Sequence, residues 1–126
     1  MIVRQLEDLA AAGRVVEAPT WTSRRLLLRG DGMGFSLHDT LIHAGTHTVM
    51  HYKHHLEAVY CIEGEGVLED LDSARQYPLQ PGTVYALDAN DRHAVRAQTQ
   101  LRLVCVFNPA LVGPENHGPD GAYPLL

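Results

Sequence analysis

Four histidines and a glutamate fall within the eleven residues from His47 to Glu57, in the stretch HTVMHYKHHLEAVYCIEGEGVLED. Imidazole and carboxylate ligate divalent cations and move protons near neutral pH, so the cluster raises both metal binding and acid–base chemistry. Further along, TVYAL and DANDRH add the phenol of Tyr85 and the imidazole of His93. A phenol has a solution pKa of about 10 and ligates as phenolate only where a cation lowers that value strongly. Plainer readings stand beside these. His47 and His54 lie in a hydrophilic run and are expected at the surface. Tyr85 fits equally as a half-buried strand aromatic and Trp21 as a core anchor.

The elements that must position these groups are strands. After EAPT the chain becomes a series of short apolar runs, RRLLLR, GFSLHDTLIHAG, EAVYCI, VLEDL, TVYAL, HAVRA and LRLVCVF, separated by Gly, Pro, Asp and Asn clusters. Such spacing predicts an all-β sandwich or barrel, with turns at GDGMG, HAGTH, EGEG, LQPGT and DANDRH. Alternation assigns the faces: His38, Thr40 and Ile42 share one, as do Leu101, Leu103, Cys105 and Phe107, with Arg102 on the outer side. Glu57 shares its face with Val59 and Cys61, where burial is costly unless the carboxylate is paired or bound to a cation. Residues 2–13 predict a short amphipathic helix with Ile2, Leu6 and Leu9 on one stripe and Gly13 as its stop. Residues 108–126 carry four prolines and three glycines and predict an irregular tail or lid.

Size and charge narrow the partners. The 126 residues suit a single domain, residues 1–126. Ten basic against fifteen acidic residues, with no basic run longer than Arg24–Arg25, give no nucleic-acid footprint. No signal peptide or membrane span is legible, and two cysteines suit a reducing cytoplasm, so a soluble cytoplasmic protein with a small-molecule partner is expected.

Two motif pairs resemble those of cupin barrels. Gly45, His51, Glu57 and Gly64 meet four of the five marks of G-x5-H-x-H-x3-E-x6-G, with Lys53 where the second His belongs. Gly82 and His93 meet two of the five marks of G-x5-P-x-G-x2-H-x3-N, with Asp88, Asn90 and Ala97 at the others. A lysine ammonium cannot ligate, so the usual three-His, one-Glu sphere is broken, and Tyr85 becomes a candidate donor. The expected fold is therefore a small cupin-like, jelly-roll β-barrel with a short N-terminal helix and an irregular C-terminal tail.

A longer resemblance runs from end to end. MIVRQLEDL, WTSRRLLL, DGMGFSLHDT, YKHHLEAVYCIEGEG, LQPGTVYALDANDRH, LRLVCVFNP and DGAYPLL are similar to the ectoine synthase family. That resemblance implies a hydro-lyase using ferrous iron. It would cyclise N-acetyl-2,4-diaminobutyrate, acetylated on the side-chain amine, to the compatible solute ectoine with loss of water. Carried over, it implies Glu57, Tyr85 and His93 as iron ligands, leaving His51 a bystander. It implies a substrate cage of Trp21, Arg25, His38, Thr40, Cys105 and Phe107, with Tyr52, His55, Glu115 and His117 as acid–base candidates among which spacing does not choose. A homodimer is expected by the same analogy. The competing expectations are an iron oxygenase, which would consume oxygen, and a non-catalytic ligand-binding barrel.

Overall fold

A computed structural model describes residues 1–126. Ten strands supply its regular structure: β1 (Val15–Glu17), β2 (Trp21–Leu27), β3 (Ser36–Ile42), β4 (His47–His51), β5 (Leu56–Glu63), β6 (Gly66–Asp70), β7 (Gln76–Leu79), β8 (Val84–Leu87), β9 (Arg92–Ala97) and β10 (Leu101–Asn108). They form a six-stranded sheet ordered β1-β2-β3-β10-β5-β8 and a four-stranded sheet ordered β4-β9-β6-β7. Every pairing is antiparallel. This is the expected cupin-like jelly roll, in which two sheets enclose a core of 18 buried side chains without closing into one continuous barrel.

Strand alternation builds the inner wall. On β2, Trp21, Ser23 and Arg25 face inward, while Arg24 turns out and pairs with Asp39, which also takes Arg102. Register sets Arg25 and Cys105 opposite His38, Phe107 opposite Glu57, and Val59 opposite Tyr85. Tight returns keep these registers. Gly64 has φ of 93°, and a Cβ there would sit 2.2 Å from the Gln100 carbonyl oxygen, so only glycine fits this signature position.

The predicted N-terminal helix is corrected. Only a single 3-10 turn forms, Leu6–Asp8. Of the apolar stripe, Leu9 is buried, Leu6 is half-buried and Ile2 is 45% exposed. One anchored residue does not stabilise a twelve-residue helix, which is marginal by itself. Instead, Arg4 grips Asp31 through two hydrogen bonds, 2.8 and 3.1 Å, and donates to the Leu26 carbonyl at 3.0 Å.

The tail after β10 has no strand, as expected, yet it is docked. The Leu111 N–H donates to Ser36 Oγ at 3.0 Å, and the His51 N–H donates to the Gly121 carbonyl at 3.1 Å. Leu111, Glu115, Ala122 and Tyr123 are buried by this packing.

Candidate functional site

Between the sheets lies a chamber walled by Trp21, Thr40, Cys105 and Phe107 from the large sheet, by Glu57 and Tyr85, and by Tyr52, His117 and Tyr123. Its cavity volume is about 30 Å³, room for a water or two. Aromatic rings fill the rest. Tyr123 stacks on Tyr52 with centroids 5.2 Å apart and planes 16° apart, and meets Phe107 edge-on at 5.4 Å. Trp21 packs on His117 at 4.9 Å.

Glu57 (β5) and Tyr85 (β8) line this chamber, whereas His93 (β9) lies outside its wall and meets Tyr85 in a neighbouring cleft; all three polar groups are held under electrostatic penalty. Glu57 is 6% exposed, and burial pushes its carboxyl up to about 8 against a smaller downward pull from the neighbouring Cys105 thiol. Burial, and then the charge of Glu57, raises the Tyr85 phenol well above its ordinary value. His93 is 1% exposed, its Nδ1 lies 3.0 Å from the Asp91 carbonyl, and its Nε2 has no partner. A carbonyl only accepts, so Nδ1 carries the proton and Nε2 presents a free lone pair. That is how metal-ligating imidazoles are oriented. The rings of Tyr85 and His93 are 6.2 Å apart. Nowhere do three His, Cys, Asp or Glu side chains gather around one point, so a cation here depends on the phenol as third donor. A carboxylate, a phenolate and an imidazole are donors that suit ferrous iron, and the orphaned Nε2 fits that use.

A second unmet demand is cationic. Arg25 is 0% exposed; its Nη1 donates to the Gly113 carbonyl at 2.6 Å and its Nε to Ser23 Oγ at 3.2 Å, while Nη2 has no partner. Its guanidinium lies 5.5 Å from the centre of the Tyr123 ring. A buried guanidinium with a free donor calls for an anion. His38 lies beside it, Nδ1 to Ser23 Oγ at 3.0 Å and Nε2 to Ser36 Oγ at 2.9 Å; neither Arg25 nor His38 lines the chamber, from which Arg25 is screened by Tyr123.

Among the acid–base candidates, Tyr52 and His117 meet in the chamber, with the phenol oxygen 2.9 Å from Nε2. Burial, and then the charge of Arg25, lowers His117 to about 4. His55 and Glu115 do not line the chamber. The Glu115 carboxylate accepts the Val112 and Gly113 N–H groups at 2.7 Å each, and so holds the turn whose carbonyl meets Arg25. His47 and His54 are exposed.

Comparison with known proteins decides the family. The sequence profile described as ectoine synthase matches residues 1–126. The chain belongs to the ectoine synthase family. The L-ectoine synthase of Desulfatibacillum aliphaticivorans is 59% identical over 128 residues, spanning 100% of this chain and 98% of the relative. That of Oceanobacillus iheyensis is 56% identical over 126 residues, with 100% and 98% covered. A crystal structure of ectoine synthase from P. lautus superposes with a TM-score of 0.86 at 56% identity, covering 90% of this chain and 81% of that one. A predicted oxalate decarboxylase from Thermotoga maritima shares the fold alone, with a TM-score of 0.61 at 19% identity over 71% of this chain and 80% of its own.

Sequence reasoning missed Tyr123, which touches Tyr52, Trp21, Phe107, His55 and His117. It lies in an irregular segment where no periodicity points a side chain inward. Ser23 was legible by alternation with Trp21 and Arg25 but carries no chemical signature of its own.

Proposed function

We propose that this member of the ectoine synthase family cyclises N-acetyl-2,4-diaminobutyrate to ectoine with loss of water. It is then a hydro-lyase that holds ferrous iron on Glu57, Tyr85 and His93. The observation that carries the reading is the pairing of unmet demands: the orphaned Nε2 of His93 together with the buried carboxyl of Glu57, which suit a cation, and the free Nη2 of Arg25, which suits a carboxylate. A substrate with an acetamide at one end and a carboxylate at the other meets both.

Bound there, ferrous iron supplies Lewis acidity that polarises the acetamide carbonyl. The chain's own residues do the rest. Arg25 fixes the carboxylate, and Trp21, Phe107 and Tyr123 press on the methylenes so that the chain curls and brings its α-amine to the carbonyl carbon. Well-oriented pairs reach effective molarities on the order of 10⁵ M. A C–N bond forms, the α-ammonium having given up its proton, and the former carbonyl oxygen leaves as water. An imidazole held near 4 is neutral at neutral pH, so His117 would take the proton that the α-ammonium gives up, and the Tyr52 phenol, 2.9 Å from its Nε2, would pass a proton on to the departing hydroxyl. Tail residues Tyr123 and His117 cover the chamber and exclude bulk water, which favours the amidine over its hydrolysis.

Mass spectrometry of an anaerobic incubation with ferrous iron tests this. The expected product is lighter than substrate by one water, and it disappears with Glu57→Ala. Turnover that requires oxygen contradicts the reading in favour of an oxygenase; binding without turnover contradicts it in favour of a carrier.

We place the activity in the cytoplasm, in the synthesis of an osmolyte under osmotic stress. No helix is long and apolar enough to cross a membrane. A homodimer is supported by the exposed apolar row of Leu56, Tyr60 and Val84 beside the free edge of β8.

A further inference from the structure

The main chain of residues 52–55, which carries Tyr52 and His55 from β4 to β5, makes no backbone–backbone hydrogen bond. Two of its carbonyls are held by one side chain. Asn90 Nδ2 donates to the Tyr52 carbonyl at 2.9 Å and to the His55 carbonyl at 3.2 Å. A carbonyl only accepts, so the amide nitrogen faces both, and its two hydrogens meet two acceptors. The segment's side chains tie elsewhere: Tyr52 bonds His117 and Lys53 pairs with Asp120, both on the tail. Asn90 is thus a tie to the barrel that does not depend on the tail. It stands three residues before His93, in the turn from β8 to β9, with φ of 52°. The cupin-like motif has glycine at this mark. Glycine would supply the left-handed backbone but no amide, so the asparagine adds what the turn alone does not require. Across this clamp the Tyr52 and His93 rings lie 5.9 Å apart. We propose that Asn90 is a positioning residue for the reaction: it fastens the main chain of residues 52–55 to the turn that carries His93, and so sets the Tyr52 phenol against the reacting centre. The inference rests on the proposed cyclisation, with Tyr52 as a proton donor.

Asn90→Gly tests this, because glycine permits the same backbone and removes only the amide. Anaerobic kinetics with ferrous iron is expected to show kcat lowered about 10- to 100-fold, the effect of a misplacement of about 1 Å, with KM within about twofold because Arg25 and the aromatic walls are untouched. Asn90→Asp, which turns a carboxylate on the two carbonyls and has no hydrogen to give, should fall at least as far. In metal-free protein, NMR order parameters of amides 53–55 should drop below about 0.6 in Asn90→Gly while those of β9 stay rigid. Co²⁺ should bind the variant with parental affinity. If the parent forms no product, the functional reading fails and the positioning role with it. If the parent turns over and Asn90→Gly keeps its kcat with only a lower melting temperature, the positioning role alone is overturned. Co²⁺ binding weakened while residues 53–55 stay rigid would make Asn90 a prop of His93 and overturn that role as well.

Discussion

Arg25 shows what a single side chain contributes here. Its fork is divided between Ser23, the Gly113 carbonyl and one open donor, all in a site closed to water. Lysine has three donors on a point charge and sheds its proton more readily when buried, so it cannot reproduce that division. Arg25→Lys is therefore expected to raise KM for the diaminobutyrate substrate by about 10- to 100-fold, the worth of a hydrogen bond to a charged group. Steady-state kinetics with a melting curve as folding control checks it; an unchanged KM contradicts the carboxylate assignment. Residue-scale legibility was uneven for a physical reason. Glu57, Tyr85, Thr40, Cys105 and Phe107 lie on strands, where a period of two fixes the direction of each side chain, and all five line the chamber. Tyr52 lies one residue past β4, where that period no longer applies, and its inward turn was not legible.

At the scale of elements, the tail and the N-terminal clasp make opposite demands. The tail must admit substrate to a chamber that is nearly full, so its docking has to be reversible. Gly121 is its latch: φ is 76°, and a Cβ would lie 2.7 Å from the Val49 carbonyl oxygen. Gly121→Ala adds at least the cost of about 1 kcal/mol for a left-handed alanine and is expected to cut turnover roughly tenfold or more, given tenfold per 1.4 kcal/mol. Faster hydrogen exchange across residues 111–123, with the strands unchanged, identifies the cause; unchanged exchange there contradicts it. The clasp is static. Hydrogen bonds from Arg4 and then from the Leu28 N–H hold the Asp31 carboxyl down to about 2. A depressed carboxyl contributes stability that is complete above its unfolded value, about 3.9, and is lost as pH falls through the folded one. Urea midpoints of the parent and of Asp31→Asn should thus differ at neutral pH and converge between about pH 4 and about pH 2. A difference that is constant with pH contradicts the clasp. The sequence announced Gly13 as a stop, and φ there is 71°, but the helix before it needed a buried stripe that the barrel does not provide.

For the whole molecule, the strand series and its turns were sufficient to indicate a jelly roll, because alternation and glycine placement are local properties. Which sheet each strand joins, and that the tail supplies a wall of the chamber, are long-range facts set by packing. Assembly belongs to this scale. Val84 is 66% exposed beside Tyr60, and Tyr60→Glu with Val84→Glu is expected to halve the mass measured by light scattering; an unchanged mass places the interface elsewhere. The central claim is that one cation is held jointly from both sheets, and it is tested most directly by diffraction at the iron absorption edge from crystals of an active preparation. The account predicts a single anomalous peak within bonding distance of Glu57, the Tyr85 phenol oxygen and His93 Nε2, and its loss in Tyr85→Phe crystals with the fold intact. Full activity with no peak among these three side chains would contradict it.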